Sequence, residues 1–131
     1  MKQFADTFYF MALLNRKDSA HSLAKAHSVG SASILTTEWI LTELADAMAH
    51  RAKRQRYIDL YRLLRSDPQA QVIPSSTLLF ERGMGLFSIR PDKDWSLTDC
   101  ISFVVMEEHG ITDALTGDHH FEQAGFRALL K

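Results

Sequence analysis

The sequence predicts a single α/β domain built on a mainly parallel sheet. Three observations lead there. At 131 residues the chain has room for one core and not two; an apolar fraction of 46% is ample for that core; and short strand-like runs alternate with segments of helical periodicity. Strands separated by helices imply right-handed crossovers, and therefore parallel pairing. No internal repeat, low-complexity segment or linker breaks the alternation.

Taken in order, residues 3–5 form a short buried strand, and residues 8–14 and 20–27 form helical turns broken around Arg16, Lys17 and Asp18. Residues 32–36 are the second strand. Thr37 can cap a helix running from Glu38 to about Arg51, on which Ile40, Leu41, Leu44, Ala47 and Met48 make one apolar face. Tyr57, Leu60, Tyr61 and Leu64 repeat the pattern on a further helix, which stops near Asp67 because the residue before Pro68 disfavours helix. Residues 71–73 are a third strand. A helix through Leu78 and Leu79 follows Pro74, with Gly83 and Gly85 counting against it. Ser96 and Asp99 have capping-box spacing, and Ile101, Phe103, Val104, Val105 and Met106 make the next helix apolar nearly all round, as one buried under a sheet would be. Gly110 ends it. Residues 111–116 form the fourth strand, residues 118–124 a helical turn closed by Gly125, and residues 126–130 the fifth strand.

Charge and cysteine content narrow the function classes. A formal net charge of −1 excludes a broad basic field, so nucleic-acid binding would have to use local patches; a charge near zero also suits partner association. One such patch is Arg51, Lys53, Arg54, Arg56, Arg62 and Arg65, able to hold nucleic-acid phosphates, although a charge run on a helix is more often a solvated face. The single cysteine, Cys100, has no intramolecular partner and sits in an apolar run, where it packs as a small hydrophobe. A charge within the first six residues and the lack of any run of 18 apolar residues point to a soluble, unprocessed, cytoplasmic protein with no membrane role.

Chemistry concentrates in four acids: Asp6 after the first strand, Glu43 in the helix after the second, Asp99 opening the buried helix and Asp118 after the fourth strand. In a doubly wound sheet, ligands bind beyond the carboxyl ends of the strands where strand order reverses. If the first and fourth strands flank that point, Asp6, Asp99 and Asp118 gather there and Glu43 reaches in. Carboxylates about 4 Å apart repel by roughly 4 kcal/mol at an effective dielectric near 20. A divalent ion such as Mg²⁺ or Mn²⁺ relieves this repulsion, prefers hard oxygen ligands and suits phosphodiester chemistry. Each acid also has a plainer reading. Asp6 and Asp118 can be N-caps, Asp99 only the third-position acid of its capping box, and Glu43 an exposed helical residue with Asp46 as its nearest rival.

The stretches around these acids resemble the PIN domain, and within it the VapC-type ribonuclease toxins of bacterial toxin–antitoxin pairs. Ala5-Asp6-Thr7 before Phe8 and the aliphatic Leu13-Leu14 is similar to the first family motif. The run from Thr37 through Glu38, Trp39 and Thr42 to Glu43 and Leu44 is similar to the second. Ser96-Leu97-Thr98-Asp99-Cys100 and Ala114-Leu115-Thr116-Gly117-Asp118-His119-His120-Phe121, with Gly125-Phe126 beyond, resemble the third and fourth, and these two are the more specific. Gly117 occupies a variable place among them. The resemblance extends over the whole chain, as one domain over residues 1–131, and implies a three-layer α/β/α PIN-like fold.

It further implies Mg²⁺- or Mn²⁺-dependent endoribonuclease activity, with Asp6, Glu43, Asp99 and Asp118 holding the metal and RNA hydrolysed to 5′-phosphate and 3′-hydroxyl ends. Thr7, Ser96, Thr98 and Thr116 are expected to orient those carboxylates or to contact phosphate, or else only to cap helices. With four carboxylates available, His119 and His120 are expected at the surface or against substrate. Implied partners are an RNA substrate, a cognate antitoxin whose arginine or lysine would enter the acidic pocket, and a second copy in a homodimer. Phe8, Tyr9, Phe10, Met11, Leu13 and Leu14 are expected to leave part of their apolar surface for such an interface. A phosphoacceptor receiver domain would also carry an acidic pocket, but Pro74-Ser75 follow the third strand where it needs aspartate, and the only late lysine is Lys131. A housekeeping PIN nuclease and a catalytically silent PIN-like binding module remain as alternatives.

Overall fold

Phe4 and Ala5, wholly buried, form the inner end of β1 (Lys2–Ala5). The computed structural model, which describes residues 1–30 and 32–131, places this strand in the middle of a sheet. β2 (Ser33–Thr37), β3 (Ala70–Ile73), β4 (Asp113–Leu115) and β5 (Arg127–Ala128) complete it in the order β3-β2-β1-β4-β5, every pairing parallel. The chain steps outward from β1 to β3, then crosses back to lay β4 on the other side of β1. Strand order therefore reverses between β1 and β4, where Phe4 pairs with Ala114 and Ala5 with Leu115. A crevice opens at such a reversal. The residues that emerge into it are Asp6 and Thr116.

Helices α1 (Thr7–Leu14), α2 (His21–Ser28), α3 (Glu38–Ala47) and α4 (Arg51–Ser66) fill the outward crossovers and pack on one another. α5 (Thr77–Ile89), α6 (Leu97–Glu108) and α7 (His119–Gln123) belong to the return path and form a second set. Right-handed crossovers in opposite directions put the two sets on opposite faces, which makes the three α/β/α layers expected from the sequence. An aromatic stack ties α6 and α7 to β1: Phe103 meets Trp95 and Phe121 edge-on, with ring centres 5.0 and 4.9 Å apart, and Phe121 lies 6.3 Å from Phe4.

The helix starts follow local chemistry. Thr37 accepts from Ile40 N at 3.1 Å, and Ser96 and Asp99 close a full capping box on α6. α6 is buried on most sides, from Cys100 to Met106. Four expectations need correction. α3 ends at Ala47 rather than near Arg51, because the chain turns over residues 48–50 and His50 Nδ1 accepts from Ala52 N to start α4. Met48 stays buried through the turn, so apolar spacing runs on across the break. β4 and β5 are shorter than residues 111–116 and 126–130; the flanks Ile111 and Leu130 are buried outside the regular strands, Ile111 N donating back to Met106 O of α6 and Leu129 N and Leu130 N to Ala114 O and Thr116 O. α5 is uninterrupted despite its glycines. A Cβ on Gly83 would lie 2.3 Å from Ile101 Cγ1, so the missing side chain is what lets α5 approach α6 closely. Finally, Tyr9 and Phe10 of α1 are buried and Phe8, Met11, Leu13 and Leu14 are packed against the core, whereas exposed apolar residues gather on α5: Leu78, Phe80, Met84, Phe87 and Ile89. No described helix is long and apolar enough to cross a membrane.

Candidate metal centre

Each of the four acids reaches the crevice from a different element, and each is placed by a specific neighbour. Asp6 directly follows β1 and is 6% exposed. Although it sits at the N-cap position of α1, its side chain makes no capping bond; its Oδ2 accepts from Thr116 Oγ1 at 2.8 Å. The same hydroxyl oxygen accepts from Asp118 N at 3.1 Å, so Thr116 joins the ends of β1 and β4. Glu43 projects from α3 and accepts from Thr7 Oγ1. Asp99 Oδ2 accepts from Ser96 N at 3.1 Å as part of the capping box, and His120 Nδ1 lies 3.1 Å from that same oxygen. Asp118 Oδ1 accepts from His120 N at 2.9 Å and so caps α7.

The four carboxylates line one open cavity of about 530 Å³ together with Thr7, Ser96 and His120. Burial, reinforced by the charges of Asp99 and Glu43, pushes the Asp6 carboxyl up to about 7 against the pull of its Thr116 bond. Asp99 is also raised, first by burial and then by Asp118, while the Ser96 N–H and His120 oppose the shift. The acids are thus close enough to feel one another, and the site holds more negative charge than its neighbours compensate. That is the electrostatic setting of a cation site, and an all-oxygen donor set fits a hard divalent ion.

Most of the expected residues come together, with differences in detail. Thr7, Ser96 and Thr116 all bond to the acids or to their helix ends. Thr98 instead faces a neighbouring cavity, which it lines with Trp39, Thr42, Glu43 and Asp46. Asp46 therefore lies beside the acid cavity and not in it. His119 is exposed as expected, its side chain 65% accessible, but His120 at 20% is inside the site. Asp118, His119 and His120 hold potential ligand atoms within 4.8 Å of one another, a tighter trio than the acids alone suggest. Sequence reasoning missed Asp18 and Asp94 on the cavity wall; they come from loops whose approach no periodicity announces. At Gly117, a variable place in the motif, an added Cβ would lie 2.5 Å from Phe8 Cζ, so a larger residue there would require the half-buried Phe8 ring to shift.

Among solved structures, VapC20 of Mycobacterium tuberculosis, described as a Sarcin-Ricin loop cleaving toxin, has a TM-score of 0.86 at 24% identity, covering 97% of each chain. FitAcB from Neisseria gonorrhoeae has a TM-score of 0.65 at 15% identity, covering 98% of this chain and 96% of that one. At these identities the likeness is one of fold. Among curated proteins no relative matches the sequence. The sequence matches the PIN domain family over residues 4–127, a span that includes all four acids, and the chain belongs to that family.

Proposed function

We propose that this protein is a Mg²⁺- or Mn²⁺-dependent endoribonuclease and the toxin of a toxin–antitoxin pair. The observation that carries the reading is the convergence of Asp6, Glu43, Asp99 and Asp118 at the strand-order reversal, with Asp6 buried and pushed up to about 7. The likeness of fold to a Sarcin-Ricin loop cleaving toxin supports RNA as the substrate class. Asp6, Glu43, Asp99 and Asp118 would hold the ion, which when bound supplies a Lewis acid for the phosphate and an activator of water. The chain's own residues set up that chemistry. Thr116 fixes the Asp6 carboxylate, Thr7 that of Glu43, and Ser96 with His120 that of Asp99, so the acids are held in place before substrate arrives. His120, at the cavity wall with Nδ1 held between Asp99 and Asp118, would contact the substrate. Exposed cations on α4, among them Arg51, Lys53, Arg56 and Arg62, would hold flanking phosphates.

Two protein partners belong to this proposal. An antitoxin cation entering the acidic cavity would be attracted electrostatically, so its complex should dissociate as salt rises. A groove edged by half-buried Leu13 and exposed Leu63 of α4 offers the rest of such a partner a surface. The second is a homodimer partner on α5.

Cleavage is the test. Purified protein should cut RNA with Mg²⁺ or Mn²⁺ and stop with EDTA, leaving 5′-phosphate ends. Asp6→Asn, Glu43→Gln, Asp99→Asn and Asp118→Asn should each lower the rate by orders of magnitude with the fold intact by circular dichroism, while Asp46→Asn stays near parent. Full activity in any two of the four would end the four-carboxylate reading.

A further inference from the structure

Beside the acid cavity lies a second one of about 590 Å³, and Glu43 lines both. Its wall is one stripe of α3: Trp39, Thr42, Glu43 and Asp46 stand at helical spacing i, i+3, i+4 and i+7. Trp39 is half-buried, packed against the core on one side and lining the cavity with the rest. Ser75 and Thr98 add hydroxyls from outside α3, that of Ser75 donating to Glu38 Oε1 at 3.0 Å. The rim is tied down: Glu38 Oε1 accepts from Ser75 N at 2.6 Å, and Arg65 of the basic helix lies 3.6 Å from Glu38 Oε2.

We propose that this second cavity receives an unpaired RNA base, stacked on Trp39, next to the phosphate cut at the acid site. The inference rests on the nuclease reading and adds to it the part of the substrate that flanks the scissile bond. Three features select a base over other occupants. Trp39 is an aromatic side chain at the wall of an open cavity, and such side chains serve as stacking platforms for any base. Asp46, a carboxylate outside the metal set, repels phosphate but attracts the amino and ring N–H donors of adenine, cytosine and guanine. Uracil, with a single N–H and two carbonyl oxygens, fits it worst. The shared residue Glu43 makes the two cavities neighbours, and Arg65 at the rim can meet the backbone outside.

Trp39 and Trp95 are the only tryptophans, and Trp95 is buried against Phe103, so emission can be assigned. The experiment uses the full chain carrying Trp95→Phe and, to stop cutting, Asp99→Asn, titrated in Mg²⁺ with three eight-nucleotide probes: oligoadenylate, oligouridylate and an abasic ribose-phosphate oligomer. Oligoadenylate should quench Trp39 and bind more tightly than the other two, with little quenching by the abasic probe. Trp39→Leu should weaken oligoadenylate binding on the order of tenfold, and Trp39→Phe should restore most of it. Should Trp39→Leu fail to fold, quenching in the Trp39-containing protein still decides. Oligoadenylate binding with unchanged Trp39 emission, or equal binding of the abasic probe, overturns the base site and leaves the nuclease standing. Failure of every probe to bind also overturns it, and if the parent does not cut RNA with Mn²⁺, the nuclease reading falls with it.

Discussion

At the scale of residues, the acid site is a cluster of charge in a half-buried place, and its energetics follow from that. Asp6 in the folded protein is raised to about 7 from an ordinary value of 3.8, chiefly by burial. Between those values the folded state holds a proton that the unfolded state has lost, so stability falls as pH rises from about 4 to about 7. A rise from 3.8 to about 7 corresponds to at most about 4 kcal/mol. Metal-free protein in EDTA should therefore melt several degrees higher at pH 5 than at pH 8, and Asp6→Asn should flatten the slope. Mg²⁺ should raise the melting temperature most at high pH, where the carboxylates are free to bind it. An identical pH slope in Asp6→Asn would remove Asp6 as its source. Asp99 joins two roles that the sequence left as alternatives, since it closes the capping box and also faces the other acids. Asparagine keeps the acceptor oxygen but not the charge. Asp99→Asn should accordingly melt above the parent in EDTA and gain less from Mg²⁺, whereas Asp99→Ala, losing the cap, should be about 1 kcal/mol less stable than Asp99→Asn. Equal melting of the two variants would show that the cap contributes nothing.

At the scale of elements, what was legible in the sequence is what local chemistry dictates. The Thr37 cap, the Ser96–Asp99 capping box and the burial of α6 depend on neighbours within four residues, and all are present as read. The acids were legible as a set only on the condition that the first and fourth strands flank a reversal, which alternation does not fix, and through the resemblance of the stretches around them to the PIN domain. The strand order meets that condition. Contacts between distant segments were not legible. Nothing local shows that Thr98 lines the neighbouring cavity instead of the acid cavity or that His120 turns inward to Asp99. Nor could Gly83 be recognised as a packing residue, because its reason is Ile101 on another helix. That contact makes a test. Alanine at an exposed helix position would gain up to about 1 kcal/mol over glycine. Here Gly83→Ala should instead destabilise by about 1–3 kcal/mol in denaturant unfolding, because Ile101 is buried and has little room to yield. Combining it with Ile101→Ala should recover part of the loss in a double-mutant cycle. Strict additivity would mean that the two side chains do not compete for one space.

At the scale of the whole molecule, the proposed homodimer needs a surface that a second copy can cover. α1 was the sequence's candidate, yet it packs Tyr9 and Phe10 into the core. α5 instead buries Leu79 and Gly83 and leaves Phe80, Met84 and Phe87 on an adjoining stripe at i, i+4 and i+7, each more than a third exposed. Leu78 and Ile89, at 61% and 71%, extend the apolar surface on the other flank. A two-fold pairing would set this stripe against itself, so each substitution counts twice. A stable pair needs roughly 1,200–2,000 Å² in total, more than three side chains supply, so neighbouring parts of the α5 face must take part. The expected outcome is a dimer by sedimentation at micromolar concentration. Met84→Asp or Phe87→Asp should convert it to monomer with the fold and Mg²⁺ stabilisation retained, since α5 contributes no side chain to the acid cavity. A charge placed in a covered apolar stripe must be desolvated without a partner, a penalty of several kcal/mol doubled by symmetry and enough to abolish a micromolar association. A parent that sediments as a monomer at that concentration, or a Phe87→Asp variant that remains dimeric, would remove α5 as the seam.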